Sequence, residues 1–306
     1  MRYVLIALAL LAAACTGRRP QPAADGAFTA PRLFLPAIPP SQLRPEERLE
    51  WMRWHYWDKF DFADTLFIAQ ADTAHLIQAY ANYIAMLSLQ PNDGTPMDSL
   101  MRKASASRPM LDYFAWMASE VLHDPNSPLR NDELYIPVLK AQLESPYYNE
   151  YERITPEYQL TLAMQNRIGR PANDFRYTLA SGATGTLYGL QAEYVLLFIN
   201  NPGCPMCREI REALTASPML SELLERGQLK ILALYPDEEL DEWHKYRSQM
   251  PAAWINAYDA GCRIRENSLY DLTAIPSLYL FDRNKRVLVK DAVEVGEIEA
   301  AIDRRL

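Results

Sequence analysis

The chain is poor in several of the residues and patterns that announce a function. It has four cysteines in 306 residues, Cys15, Cys204, Cys207 and Cys262, which excludes a small domain built on disulfides. Its fold must rest on apolar burial instead, and a composition 49% hydrophobic and 11% aromatic allows that. The four histidines, His55, His75, His123 and His244, are scattered. None has ligand spacing, and no second CxxC or CxxH accompanies the pair at 204–207, so neither a metal nor a cofactor is expected. Basic patches are missing and the formal net charge is −8, which argues against nucleic acid as a partner and against electrostatic attachment to anionic lipid. Internal repeats are also absent.

The first apolar run is too short to span a bilayer comfortably. After Arg2, residues Tyr3 to Ala14 are apolar and end in Leu11-Ala-Ala-Ala-Cys15. A short basic start, about a dozen apolar residues and a small-residue exit describe an export signal. The exit resembles the lipobox of bacterial lipoproteins, with Ala12 where that pattern more often has Leu. The resemblance implies cleavage before Cys15 and lipidation of its thiol, with several acyl chains as the anchor. An ordinary signal peptide containing Cys15 is the alternative, and both readings export the protein. No acid follows Cys15 (Thr16-Gly-Arg-Arg19), which by resemblance to such signals implies retention in the cell envelope, facing the periplasm.

The rest of the chain divides by composition and period. Residues 1–14 are the expected signal peptide, and 15–42, rich in Ala, Pro, Gly and Arg, a lipid-anchored flexible tether. Residues 43–168 read as an all-helical domain of unknown function. Leu49, Met52 and Tyr56 share one face, and Asp72 can cap a helix carrying Leu76, Tyr80, Tyr83, Ile84 and Leu87. Further helices are expected at 97–104, 110–122, 131–144 and 156–168, separated by Pro/Asn/Asp/Gly turns. Trp51, Trp54, Tyr56, Trp57, Phe60 and Phe62 read as core of this module, or else as a partner-binding groove.

From Gly169 the period changes to that of an α/β layer. Two short strands flank Ser181-Gly182 as a hairpin. Tyr194-Val-Leu-Leu-Phe-Ile199 and Leu229–Tyr235 are continuous apolar strands suited to a sheet centre. Ser277–Phe281 and Arg286–Lys290 are joined by a turn, with helices at 208–224, 238–247 and 295–304.

Cys204-Pro-Met-Cys207 stands between the first of those apolar strands and a helix. Two thiols two residues apart can close and reopen one small disulfide, although the same spacing serves half of a zinc site. The strand-to-helix setting favours redox chemistry. Gly169-Arg-Pro-Ala-Asn-Asp-Phe175, Leu196–Cys207 and Ala274-Ile-Pro-Ser-Leu-Tyr-Leu-Phe-Asp282 resemble, in that order, three landmarks of the periplasmic thiol-disulfide oxidoreductases of thioredoxin fold (TlpA-like and ResA-like). The likeness covers residues 169–306. His55-Tyr-Trp-Asp-Lys-Phe-Asp-Phe62 and Asp124-Pro-Asn-Ser-Pro128 resemble the helical module that precedes such domains in lipoproteins of Bacteroides-like bacteria.

The resemblance implies roles. Cys204, at a helix start where backbone donors favour thiolate, would attack a substrate disulfide, and the more buried Cys207 would resolve the intermediate. It implies a cis Ile275–Pro276 bond facing the thiols, with the Ile275 backbone pairing with an extended substrate. Pro205 and Met206 would tune the redox couple and border the substrate. Where many thioredoxins place a buried acid, this chain has Phe198. Protein thiols or disulfides are the expected substrates and an upstream thiol-disulfide donor the expected partner, with the protein acting as a reductant. Cys262 reads as a buried unpaired thiol, with a regulatory disulfide as the other reading. The competing functions are a redox-inactive binding or scaffolding lipoprotein that works through its helical domain and, less well matched, a peroxidase using Cys204.

Overall fold

The computed structural model describes residues 31–89 and 94–305; Cys15, the expected signal peptide and the first part of the expected tether lie outside the described residues. Among these, the first domain holds α1 (Pro45–His55), α2 (Thr65–Gln70), α3 (Thr73–Ser88), α4 (Thr95–Ala104), α5 (Arg108–Ala118), α6 (Asp132–Glu144) and α7 (Glu150–Met164). A π-helical turn, Ser119–His123, continues α5. Short polar side chains set the starts. The Asp72 carboxylate accepts from the His75 N–H and Asn131 Oδ1 from the Leu134 N–H. Asn149 and Glu152 cap each other's backbone N–H. That reciprocal cap starts α7 six residues before Pro156, where the sequence pattern places the helix start, and the helix absorbs the proline in its interior.

Tyr56, Trp57 and Phe60 are core and Phe62 packs against them, whereas Trp51 is half-buried and Trp54 exposed. Trp57 stacks on Phe34 (centroids 4.6 Å apart, planes at 8°) and meets Phe60 and Phe114 edge-on, the offset and T-shaped arrangements that aromatic quadrupoles favour. The tether boundary therefore needs correction. Residues 31–42 do not run free: Phe34 and Ala37 are buried, Arg32 bridges to Ala71, and the Ala37 N–H bonds to the Tyr56 carbonyl. One buried aromatic in a Pro-rich stretch is enough to dock it.

Gly94 opens α4 with φ +84°, and a Cβ there would stand 3.0 Å from Pro137 Cγ and 3.2 Å from the Glu133 carbonyl oxygen on α6. Gly94→Ala is expected to cost about 2 kcal/mol, because the left-handed backbone alone is costly for an L-residue. A denaturant midpoint unchanged from wild type would contradict this.

The second domain contains β1 (Arg176–Leu179), β2 (Thr184–Thr186), β3 (Tyr194–Ile199), α8 (Pro205–Ala216), α9 (Pro218–Glu225), β4 (Leu229–Tyr235), α10 (Leu240–Tyr246), β5 (Ile255–Tyr258), α11 (Arg263–Glu266), β6 (Ser277–Asp282), β7 (Val287–Ala292) and α12 (Val295–Asp303). The sheet order is β2-β1-β5-β4-β3-β6-β7. Strands β3, β4 and β5 are parallel, while β6 runs antiparallel to β3 and β7 to β6. Every β3 side chain is buried, because both sheet faces are covered. The single helix expected at 208–224 is two: Pro218 cannot donate to the preceding turn, and Ser217 Oγ caps the new start at the Leu220 N–H.

Charged groups bind the two domains. Lys290 of β7 donates to the carbonyls of Ala163 (3.0 Å) and Gln165 (2.7 Å) at the end of α7 and pairs with Asp132 (2.6 Å). Asn166 donates to the Leu269 carbonyl at 2.7 Å. Arg130 reaches across to Asp271 (2.9 Å) and to Asp291.

Candidate active site

The chain leaves β3 through Asn200-Asn-Pro-Gly203, and Gly203, at φ +76°, turns it into α8. Cys204 thereby becomes the N-cap and Cys207 lies in the first turn. The Cys207 N–H points at Cys204 Sγ (3.3 Å), and the Asn201 N–H points at Cys207 Sγ (3.4 Å). Cys204 Sγ thus faces an N–H of the first helical turn that has no intrahelical partner, and Cys207 Sγ faces an N–H of the loop that enters the helix. Both thiols are free.

Their exposure differs. Cys204 is half-buried, whereas Cys207 is fully buried in a cluster with Phe198, Ile210, Trp254 and Leu278. Burial pushes the Cys207 thiol from its ordinary 9.0 up to about 12; closeness to Cys204 adds to the rise and the Asn201 N–H opposes it. Phe198 meets Trp254 edge-on beneath this site, so an apolar ring occupies the position where the resemblance implies an acid in other thioredoxins.

Opposite the thiols, the Ile275–Pro276 peptide bond is cis, and the Cys204 thiol points at the Ile275 carbonyl oxygen, 3.9 Å away. Pro276 is buried and Ile275 half-buried. The structure therefore gathers Cys204, Cys207, Ile275 and Pro276. Pro205 and the 50% exposed Met206 form the open rim, and Arg208 is also exposed. Cys262 is free and buried ahead of α11, and burial raises its thiol too. Among the described residues no group of three or more His, Cys, Asp or Glu side chains is placed to hold a metal ion.

Several neighbours escaped the sequence. A cleft of about 500 Å³ beside the cysteine loop is walled by Pro202, Gly203, Tyr235, Asp237, Glu238 and Glu242. Asp237 pairs with Arg265 and accepts from Asn201 Nδ2 at 3.3 Å, which fixes the loop entering α8. The only sequence signal for Asn201 was turn chemistry ahead of the cysteines; Asp237 and Arg265 had none. A larger cleft, about 680 Å³, lies at the domain junction and is lined by no cysteine.

Residues 191–287 match the family described as thioredoxin-like, and residues 15–166 match a domain of unknown function (DUF5106). A thioredoxin-like protein from Bacteroides caccae is 44% identical, with a TM-score of 0.83; the match covers 90% of this chain and 99% of that one. The C-terminal domain of an uncharacterized protein from Bacteroides fragilis is 51% identical over 45% of this chain and 98% of its own, with a TM-score of 0.44. Bovine (Bos taurus) nucleoredoxin is 30% identical over 115 residues, 37% of this chain and 25% of that protein. The chain thus spans about a quarter of the length of the curated relatives it matches.

Proposed function

We propose that this chain, which belongs to the thioredoxin-like proteins that carry an N-terminal helical domain, is a thiol-disulfide oxidoreductase that reduces disulfides of exported proteins through Cys204 and Cys207. The observation that carries the reading is the placement of Cys204: a half-buried thiol at a helix N-terminus, with the Cys207 N–H at 3.3 Å and the Ile275 carbonyl oxygen at 3.9 Å.

In the proposed cycle the Cys204 thiolate attacks one sulfur of the substrate disulfide, and the other sulfur leaves and takes up a proton. Cys207 then loses its proton and attacks Cys204 Sγ, releasing the second substrate thiol and closing the Cys204–Cys207 disulfide. Two electrons have passed to the substrate, and an upstream dithiol donor restores the pair. The Ile275 backbone lies where an extended substrate can pair beside the sulfur, with Pro205 and Met206 at its margin.

The reducing direction rests on the resemblance to TlpA-like and ResA-like reductants, and the potential of the Cys204–Cys207 couple tests it. Lipidation of Cys15 and a periplasm-facing place in the cell envelope complete the proposal. Mass spectrometry of the mature N-terminus tests that part: an acylated Cys15 supports it, and an unmodified downstream terminus refutes it.

The competing reading is a binding protein with a silent cysteine pair. It draws little from the aromatic stretch, since Tyr56, Trp57 and Phe60 are buried. Turnover of a peptide disulfide by the intact chain, with dithiothreitol as donor, separates the two. Reduction well above the rate with donor alone is expected; a rate equal to the donor's would refute the redox reading.

A further inference from the structure

Arg130 stands outside both the cysteine pair and the helical core, yet it is among the most tightly held charges at the domain junction. It sits directly ahead of α6, where the Asn131 N–H bonds to the Leu122 carbonyl (3.0 Å) and the Asn131 side chain caps the helix. Its side chain is 14% exposed and pairs with Asp271 and Asp291, whose side chains are 8% and 7% exposed.

Those two carboxylates hold opposite ends of one loop. Asp271 Oδ2 accepts from Arg130 at 2.9 Å while its Oδ1 accepts from the Thr273 N–H at 2.8 Å, two residues before Ile275. Asp291 Oδ1 accepts from Ser277 Oγ at 2.5 Å, one residue after Pro276, and its other oxygen pairs with Arg130. Asp291 is left-handed (φ +56°) at the register shift between β6 and β7, a backbone state that persists when its surroundings over-determine it. One guanidinium from the helical domain therefore grips both flanks of residues 271–277. The centre of that segment presents the Ile275 carbonyl to Cys204.

We infer that Arg130 is a positioning residue: through Asp271 and Asp291 it makes the helical domain set the geometry of the substrate-pairing loop opposite Cys204. The role of that loop in substrate pairing rests on the redox reading above. Both carboxylates meet one nitrogen, Arg130 Nη2, on a planar guanidinium that keeps its charge. The helical domain is then part of the active site's construction rather than a separate cargo.

The test uses the intact chain carrying Arg130→Gln, Arg130→Lys and, as control, Arg167→Gln. The control removes the Arg167–Glu133 pair, which does not touch residues 271–277. Two quantities are read: amide hydrogen exchange of peptides covering 271–277, and kcat and KM for a peptide disulfide. In R130Q, exchange of this segment is expected to rise about tenfold while peptides from α8 keep wild-type rates. KM is expected to rise about tenfold with kcat within about twofold, as for a binding element displaced from its productive position. R130K should fall between, and R167Q should match wild type.

Folded R130Q with wild-type exchange and wild-type KM would overturn the inference. Should R130Q not fold, R130K is read in its place by the same criteria. If the wild-type protein reduces no disulfide, the redox reading fails, and exchange at 271–277 alone decides whether Arg130 holds the loop.

Discussion

Cys204→Ser is expected to lower disulfide turnover by at least about a thousandfold, because a serine hydroxyl is neither appreciably ionised nor nucleophilic toward sulfur at neutral pH. Cys207→Ser is expected to fail differently. Cys204 would still attack, but with nothing to resolve the intermediate the protein should accumulate as a mixed disulfide with its substrate. Non-reducing electrophoresis and mass spectrometry read this directly. The asymmetry follows from burial: Cys204 is half-exposed at the rim formed by Pro205 and Met206, whereas Cys207 is closed off behind it. Equal adduct yields from the two single variants would contradict the assignment of attacking and resolving thiols.

In the reduced native protein, alkylation is expected to separate the cysteines by orders of magnitude. Cys207, raised to about 12, should resist iodoacetamide near pH 8, where its thiolate fraction is on the order of 10⁻⁴. Its rate should climb about tenfold per pH unit until the pH approaches the raised value. Cys262, buried and likewise raised, should also stay unmodified, leaving Cys204 as the labelled site. The same shift makes a stability prediction. The unfolded chain gives up the Cys207 proton near 9.0 and the folded chain near 12. The unfolded state therefore binds fewer protons between those values. The contribution is complete below pH 9 and lost as the pH rises through 12. Denaturation of the reduced protein followed over this window, against Cys207→Ala, isolates the effect; a variant with the same alkaline slope as wild type would count against it.

The candidate site was legible in the sequence because its parts are local and chemically loud. Continuous apolar runs marked β3, β4 and β6, and each is buried nearly throughout. The cysteine pair follows the first of them and Ile275-Pro276 precedes the last, so the strand assignments also located the site. Quieter elements were missed. Strand β5 has Ala257 as its sole fully buried residue, too little apolar signal to show a period, and α2 is six residues long. The docking of residues 31–42 depends on Phe34 reaching Trp57, a contact with no local periodicity. Arg130 was illegible for a stronger reason. Its partner Asp271 is 141 positions away, and no short-range pattern records a charge satisfied only after two domains come together.

A redox titration of the intact chain against glutathione and dithiothreitol buffers tests the Cys204–Cys207 pair most directly. Thiol trapping and mass spectrometry would assign the state of Cys204, Cys207 and Cys262 at each point. One reversible two-electron couple confined to Cys204 and Cys207 is expected, at a potential low enough for a reductant, with Cys262 unchanged throughout. A pair that stays locked as a disulfide under strong reductant, or that never forms one, would contradict the redox reading.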